Sequence, residues 1–140
     1  MNNEQLKKFT IFSDLTDDEL NHFGDALKEV KMEKGQQFIT EGEEGDCIYL
    51  LLEGEVQINQ ALTLSMNKSE SDNREKAILK LSSDINPLFG EMSMFNEGDR
   101  RTANVRAETT CILVKLDKLD LYNICEKNPN IGFKVMRNLG

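Results

Sequence analysis

An antiparallel β-sandwich or barrel with helices at both ends is the architecture that this chain predicts. Three observations carry it. Short apolar runs separated by turn residues fill the middle of the chain. Six of the nine glycines (Gly35, Gly42, Gly45, Gly54, Gly90 and Gly98) punctuate that same stretch, so the turns are closely spaced. Helical periodicity is confined to the two ends. A parallel sheet would need a crossover helix between strands, and this middle section has no room for one.

The elements follow in order. Thr16-Asp17-Asp18-Glu19 has the form of a capping box, in which the threonine caps the Glu19 amide and Glu19 reaches back. Leu20, Phe23, Leu27 and Val30 then recur at three- and four-residue steps, predicting helix over the first thirty residues. His22 lies off that stripe and reads as a surface or rim residue. From Lys31 the period changes. Strands are predicted at Gln37-Phe38-Ile39, Cys47 to Leu52, Val56-Gln57-Ile58, Ala77 to Leu81, Asn104 to Ala107 and Cys111 to Leu116. The polar run from Met66 to Lys76 reads as an extended hairpin loop. After Leu116, Asp117 is placed to cap a helix carrying Leu119, Leu121, Tyr122, Ile124 and Cys125. Asn128-Pro129 restarts it, with asparagine as cap and proline at the first helical position. Ile131, Val135 and Leu139 form an i, i+4, i+8 stripe, which Phe133 and Met136 widen. This last helix is only about 16 Å long at 1.5 Å per residue. The reading is one domain over 1–140: helices to residue 30, a β-section from 31 to 116 and helices from 117 to 140.

Bulk properties narrow the function. The chain has 140 residues, enough for one core, with 39% hydrophobic and 30% charged residues. No apolar run reaches the length of a membrane span, and Met1 to Leu6 lacks a signal-peptide core, so the expected compartment is the cytoplasm. A net charge of −8 argues against direct nucleic-acid binding, which needs phosphate-neutralising cations. Yet three of the five arginines, Arg100, Arg101 and Arg106, fall within seven residues, a local positive spot able to draw in a small anion. Cys47, Cys111 and Cys125 are scattered, without a CxxC pair, and read as buried free thiols rather than zinc ligands. One histidine, no nucleophile elbow and no Walker loop leave no catalytic set, so the chain does not read as an enzyme and no cofactor is expected.

One stretch carries chemistry. Phe89-Gly90-Glu91-Met92-Ser93-Met94 is followed closely by Arg101-Thr102-Ala103-Asn104-Val105. A compact anion needs backbone N–H donors and one fixed positive charge. A ribose needs a carboxylate to accept from its hydroxyl. Both are met within fifteen residues, a spacing that suits a small sugar phosphate. The structural reading of the same residues is an ordinary Glu91–Arg101 salt bridge over a core of Phe89, Met92 and Met94.

This pairing closely resembles the phosphate-binding cassette, residues 89–105 here, of cyclic nucleotide-binding domains. Such domains occur in the catabolite activator protein, in regulatory subunits of cyclic-nucleotide-dependent kinases and in cyclic-nucleotide-gated channels. Thr40-Glu41-Gly42-Glu43-Glu44-Gly45-Asp46 and the run Cys47 to Val56 are similar to that family's glycine turn and the strand and turn after it. The match extends from about Ile11 to the end of the chain. It implies an eight-stranded antiparallel β-roll, jelly-roll-like, with flanking helices. It implies a ligand, cyclic AMP or cyclic GMP, whose phosphate meets Arg101 and amides around Gly90, Met92 and Ala103. A short helix would begin near Met92, and Glu91 would accept from the ribose 2′-hydroxyl. Phe89 and Ser93 belong to the same cassette. Thr102, directly after the arginine, is associated in the family with recognition of guanine, whereas bacterial members carry serine or threonine there and use cyclic AMP. The preference expected is cyclic AMP, with cyclic GMP next. Ile58 and Leu79 are placed against the base from strand position. The family's Gly-Asp before the cassette is replaced here by Asp84-Ile85-Asn86-Pro87-Leu88.

The function expected is a regulatory sensor whose C-terminal helices move on ligand binding. Its partner would be an effector protein or a second copy through those helices. The alternatives are a ligand-free interaction or dimerisation module, and a sensory fragment of a transcription regulator.

Overall fold

The computed structural model describes residues 2–61, 76–91 and 100–139. The predicted hairpin loop, Met66 to Lys76, lies outside these but for Lys76. Among the described residues, eight strands form two four-stranded antiparallel sheets. They are β1 (Leu27–Met32), β2 (Gln37–Ile39), β3 (Cys47–Glu53), β4 (Glu55–Ala61), β5 (Lys76–Ser82), β6 (Leu88–Phe89), β7 (Asn104–Ala107) and β8 (Cys111–Asp117). One sheet runs β1-β8-β3-β6 and the other β2-β7-β4-β5. Short helices α1 (Asn3–Lys7) and α2 (Asp17–Asn21) precede them, and α3 (Lys118–Lys127) and α4 (Pro129–Leu139) follow. This is the antiparallel β-roll with flanking helices.

The central strands of the first sheet, β3 and β8, are buried on both faces, which explains the unbroken apolar run of β3. Ile48 and Leu50 point toward the helices and pack with Phe9, Phe12, Leu121 and Val135. Cys47, Tyr49 and Leu51 point into the roll with Val56, Phe89 and Val105. Alternation thus survives as a choice between two cores, not between core and water. Truncating such a residue, for example Leu50→Ala, costs about 2–5 kcal/mol.

The capping box of α2 forms as read: Glu19 N donates to Thr16 Oγ1 at 3.1 Å, and Thr16 N donates to Glu19 Oε1 at 3.0 Å. The helix does not continue along the Leu20–Val30 stripe. It ends at Asn21, Gly24 takes a positive φ of 35°, and Leu27 and Val30 lie in β1. There Leu27 pairs with Leu116 and Val30 with Leu113 across the sheet edge, a ladder worth more than three further helical residues on an isolated turn. The strands therefore begin at Leu27, four residues earlier than expected. β6, two residues long, is the other strand the apolar pattern did not reveal.

Three helix details also differ. Asp117 precedes α3, but its side chain makes no cap. The Asp117 carboxylate lies instead 3.9 Å from both Lys28 and Lys115, and the first amide of the helix, on Lys118, donates to the Asp46 carbonyl at 2.8 Å. Asn128 serves both helices: its Nδ2 donates back to the Ile124 carbonyl at 3.0 Å, closing α3, and its carbonyl accepts from Gly132 N at 3.0 Å, opening α4. On α4, Ile131 and Val135 are buried, whereas Phe133 is 66% exposed and does not widen the stripe.

α4 is tied down at several points. Lys134 Nζ donates to Glu19 Oε1 at 2.7 Å, Arg137 pairs with Asp14, and Asn138 Nδ2 reaches the Ile11 carbonyl at 3.2 Å. Cys47 and Cys111 are buried free thiols and Cys125 is half-buried. Among the described residues no helix is long and apolar enough to cross a membrane, and no group of three metal-ligating side chains occurs.

Candidate functional site

A cavity of about 230 Å³ opens between the inner face of the second sheet and the turns at β6 and before β7. Its apolar wall is a row across the sheet. Ile39 on β2 pairs with Val105 on β7, which pairs with Ile58 on β4. Leu81 on β5 and Leu88 close the wall. Opposite stand Gly90, Glu91 and the run Arg100 to Ala103. The result is an apolar surface facing one carboxylate, two guanidinium groups and a hydroxyl.

The backbone of the arginine is held by the glycine turn sixty residues earlier. Arg101 N donates to the Glu43 carbonyl at 2.7 Å, and Gly42 N donates to the Arg101 carbonyl at 2.9 Å. Glu44 and Arg100 form a β-bridge, and Arg100 Nη1 donates to the Gly42 carbonyl at 2.9 Å. Gly42, at φ 87°, makes the tight turn that allows this. The two motifs are two sides of one construction.

The arginine head is fixed by β3. Arg101 Nη2 donates to the Cys47 carbonyl at 2.8 Å and lies 3.5 Å from Cys47 Sγ. Gly90, at φ 93°, stands directly against that head. A Cβ there would overlap Arg101 Nη1 and come within 2.9 Å of the Cys47 carbonyl. Burial pushes the Cys47 thiol and the Tyr49 phenol above their ordinary values, so both stay protonated at neutral pH.

Of the predicted residues, Phe89, Gly90, Glu91, Arg101, Thr102, Ala103 and Ile58 line this one cavity. Met92 and Ser93, with the helix expected near Met92, lie outside the described residues. Leu79 is not brought to the cavity. It pairs with Ile58 at the end of the row on edge strand β5, where it is 55% exposed, and Leu81 closes the wall instead.

Several contributors were not read from the sequence. Ile39, Leu81 and Leu88 join the lining, together with Arg100, read from the sequence only as part of a positive spot, and Val105, read only as the end of the cassette. Asn104 accepts from Glu41 N at 2.7 Å through Oδ1 and donates to Asn59 Oδ1 at 3.0 Å, tying the glycine turn to two strands. The available signal was register. Once Val105 is opposite Ile58, Ile39 follows, and Asn104 falls beside Asn59.

Comparison with known proteins extends the geometry. The profile of the cyclic nucleotide-binding domain family matches residues 29–128. The chain is 36% identical over 113 residues to the cAMP-dependent protein kinase regulatory subunit of Yarrowia lipolytica, covering 81% of this chain and 26% of that protein. It is 28% identical over 103 residues to the cGMP-dependent protein kinase egl-4 of Caenorhabditis elegans, covering 74% of this chain and 12% of that one. It thus spans about a quarter or less of the length of these relatives. Among solved structures, a cyclic nucleotide-binding domain from Methylobacillus flagellatus superposes with a TM-score of 0.78 at 26% identity, over 97% of this chain and 70% of that one.

Proposed function

This chain belongs to the cyclic nucleotide-binding domain family, and from that premise we propose that it is a cytoplasmic regulatory unit that binds cyclic AMP in preference to cyclic GMP. The observation that carries the reading is the Arg101 head, held by Cys47 at the Gly90 turn, with Glu91 on the same cavity rim. The single negative charge of the cyclic phosphate meets Arg101 in charge-assisted hydrogen bonds, each worth roughly 1.5–3 kcal/mol where water is excluded. Glu91 accepts from the ribose 2′-hydroxyl. The base lies along the apolar row of Ile39, Val105, Ile58 and Leu81, and Thr102 offers its hydroxyl at the same cavity. The preference for cyclic AMP is supported by the higher identity to the regulatory subunit named for that nucleotide.

The output runs through the C-terminal helices. Two links support this. The Asp46 carbonyl, next to the residue that holds Arg101, accepts from the first amide of α3. Glu91 also borders a second cavity shared with Asn138 and Leu139 of α4. A ligand that rearranges these contacts favours one placement of the helices over another, by its difference in affinity for the two. Leu119 and Phe133, 74% and 66% exposed on α3 and α4, are the surface for an effector protein or a second copy.

The test is isothermal titration of the chain with cyclic AMP and with cyclic GMP, beside Arg101→Ala. Micromolar binding, tighter for cyclic AMP and weakened at least about a hundredfold in the variant, is expected from the loss of the charge-assisted bonds. Equal affinity in Arg101→Ala would overturn the site. No heat and no thermal stabilisation with either nucleotide would leave a contact module built on the same roll.

A further inference from the structure

β5 is the last strand of its sheet, and among the described residues only β4 pairs with it. The ladder shows which backbone groups are left over. Just past the strand, Ser83 N donates to the Gly54 carbonyl at 2.9 Å. Bonding alternates along an antiparallel pair, so Leu81 and Leu79 bond to β4, whereas Ser82, Lys80 and Ile78 turn their N–H and C=O groups to the open edge. β4 gives the same phase. Glu108 N donates to the Glu55 carbonyl at 2.8 Å, so Glu55, Gln57 and Asn59, which stand opposite those three residues, bond toward β7.

An edge of this kind templates another chain, and folds ordinarily blunt it with proline, a bulge or rows of charge. β5 has no proline, and its register runs unbroken from Lys76 to Ser82. Ile78 and Leu79, 62% and 55% exposed, set one large apolar side chain on each face of the edge. Beside Ile78 on the outer face is Lys80, exposed and in no ion pair among the described residues. Its row continues inward through Gln57 to Arg106, whose guanidinium donates to Gln57 Oε1 at 3.3 Å. Glu55, the carboxylate of β4, lies opposite Ser82 instead.

We propose that the β5 edge is a docking site for an extended peptide strand carrying an apolar residue opposite Ile78 and a carboxylate opposite Lys80. The inference is independent of the nucleotide reading. Main-chain bonds at Ile78, Lys80 and Ser82 supply the affinity of such a strand, and the side chains of Ile78 and Lys80 supply its selection. Charge decides against a second copy as the occupant. An antiparallel pairing of two β5 strands centred on Ile78, Leu79 or Lys80 sets a lysine of one copy opposite or diagonal to a lysine of the other. A carboxylate in that place turns the repulsion into a cross-strand pair.

The probe is a blocked synthetic heptapeptide, Thr-Ser-Glu-Leu-Val-Ser-Thr. In antiparallel register it sets glutamate opposite Lys80, leucine opposite Leu79 and valine opposite Ile78. A second peptide has lysine for glutamate. Both are titrated into the nitrogen-15-labelled chain and followed by its amide spectrum. Saturable shifts are expected at the amides of Ile78, Lys80 and Ser82, with the glutamate peptide bound about fivefold more tightly. Ile78→Pro deletes one edge N–H that does not face β4, and should abolish binding while the β4 amides keep their native positions. Lys80→Glu should reverse the preference between the two peptides. A preserved preference there, binding that survives Ile78→Pro, or no saturable shift in the unaltered chain overturns the proposal. So does self-association: concentration-dependent shifts at the same amides without peptide would make a second copy the occupant. If Ile78→Pro fails to fold, Lys80→Glu decides alone.

Discussion

The guanidinium of Arg101 occupies the space that a side chain on Gly90 would need. Gly90 holds φ 93°, and the nearest atoms to a Cβ built there are Arg101 Nη1 and the Cys47 carbonyl. The glycine is thus required twice, for its backbone and for its bareness. Gly90→Ala should fold with a loss of about 1–3 kcal/mol, from strain at a positive φ. Because the methyl displaces the Arg101 head, cyclic AMP affinity should fall more than tenfold, beyond what the stability loss explains. Thermal unfolding and titration calorimetry on one preparation separate the two effects. An alanine variant of normal affinity would show that the arginine head is free to relocate.

Leu81 and Leu79 offer a paired test of the apolar wall. They share a sheet face two residues apart, but only Leu81 lines the cavity. Leu81→Ala should weaken cyclic AMP binding by about 1–2 kcal/mol through lost contact area. Leu79→Ala, at an exposed edge position, should change affinity by less than about 0.5 kcal/mol. Titration of both variants checks the register of β5 against the site, and the reverse order would place the base further out along the strand.

Asn104 joins the glycine turn to the sheet with no contact to the cavity in its own right. Replacing it by alanine removes the acceptor for the Glu41 amide and the donor to Asn59. Asn104→Ala should cost about 1–3 kcal/mol in urea unfolding, because a backbone donor and a side-chain acceptor lose their partner. Affinity should fall only as far as the turn loosens its hold on the Arg101 backbone. A cost near zero would mean that water replaces both bonds.

Acid should loosen the contact between α2 and α4. Lys134 beside Glu19, with the Thr16 amide, holds the Glu19 carboxyl below its ordinary value of 4.5. Its folded-state value is depressed, so the contribution to stability is present above pH 4.5 and is lost as pH falls through the folded value. Asp17 behaves in the same sense, held down by Lys7 and then Asn3. The melting temperature should therefore drop on acidification below about pH 4.5. Lys134→Met should flatten that drop, and salt should weaken it in the unaltered chain, since the pair is near the surface. Melting curves from pH 3 to pH 7 decide, and identical profiles for the two proteins would remove Lys134 as the cause.

Much of this molecule was legible before any coordinates, and the legible part is local. The Thr16–Glu19 box closes within one helical turn. Gly42, Gly54 and Gly90 each announce a turn that other residues enter with difficulty, and all three take positive φ. The runs at β2, β3, β7 and β8 declare themselves by composition. Phe89 to Glu91 and Arg101 to Ala103 signal an anion site because short-range order sets which groups they can present. What the tertiary structure alone decided is every choice that depends on a partner far along the chain. Leu27 and Val30 are strand because Leu116 and Leu113 lie beside them, though their spacing fits a helix equally well. Asp117 makes no cap, and its carboxylate faces Lys28, eighty-nine residues earlier on β1. Leu81 rather than Leu79 lines the cavity, and register decides it: Leu81 pairs with the fully buried Val56, whereas Leu79 pairs with the half-buried Ile58. Arg101 points where it does because Cys47, fifty-four residues earlier, offers it a carbonyl and a sulfur. Propensity and spacing describe a residue's neighbours in sequence, and these outcomes turn on free energies exchanged with neighbours in space.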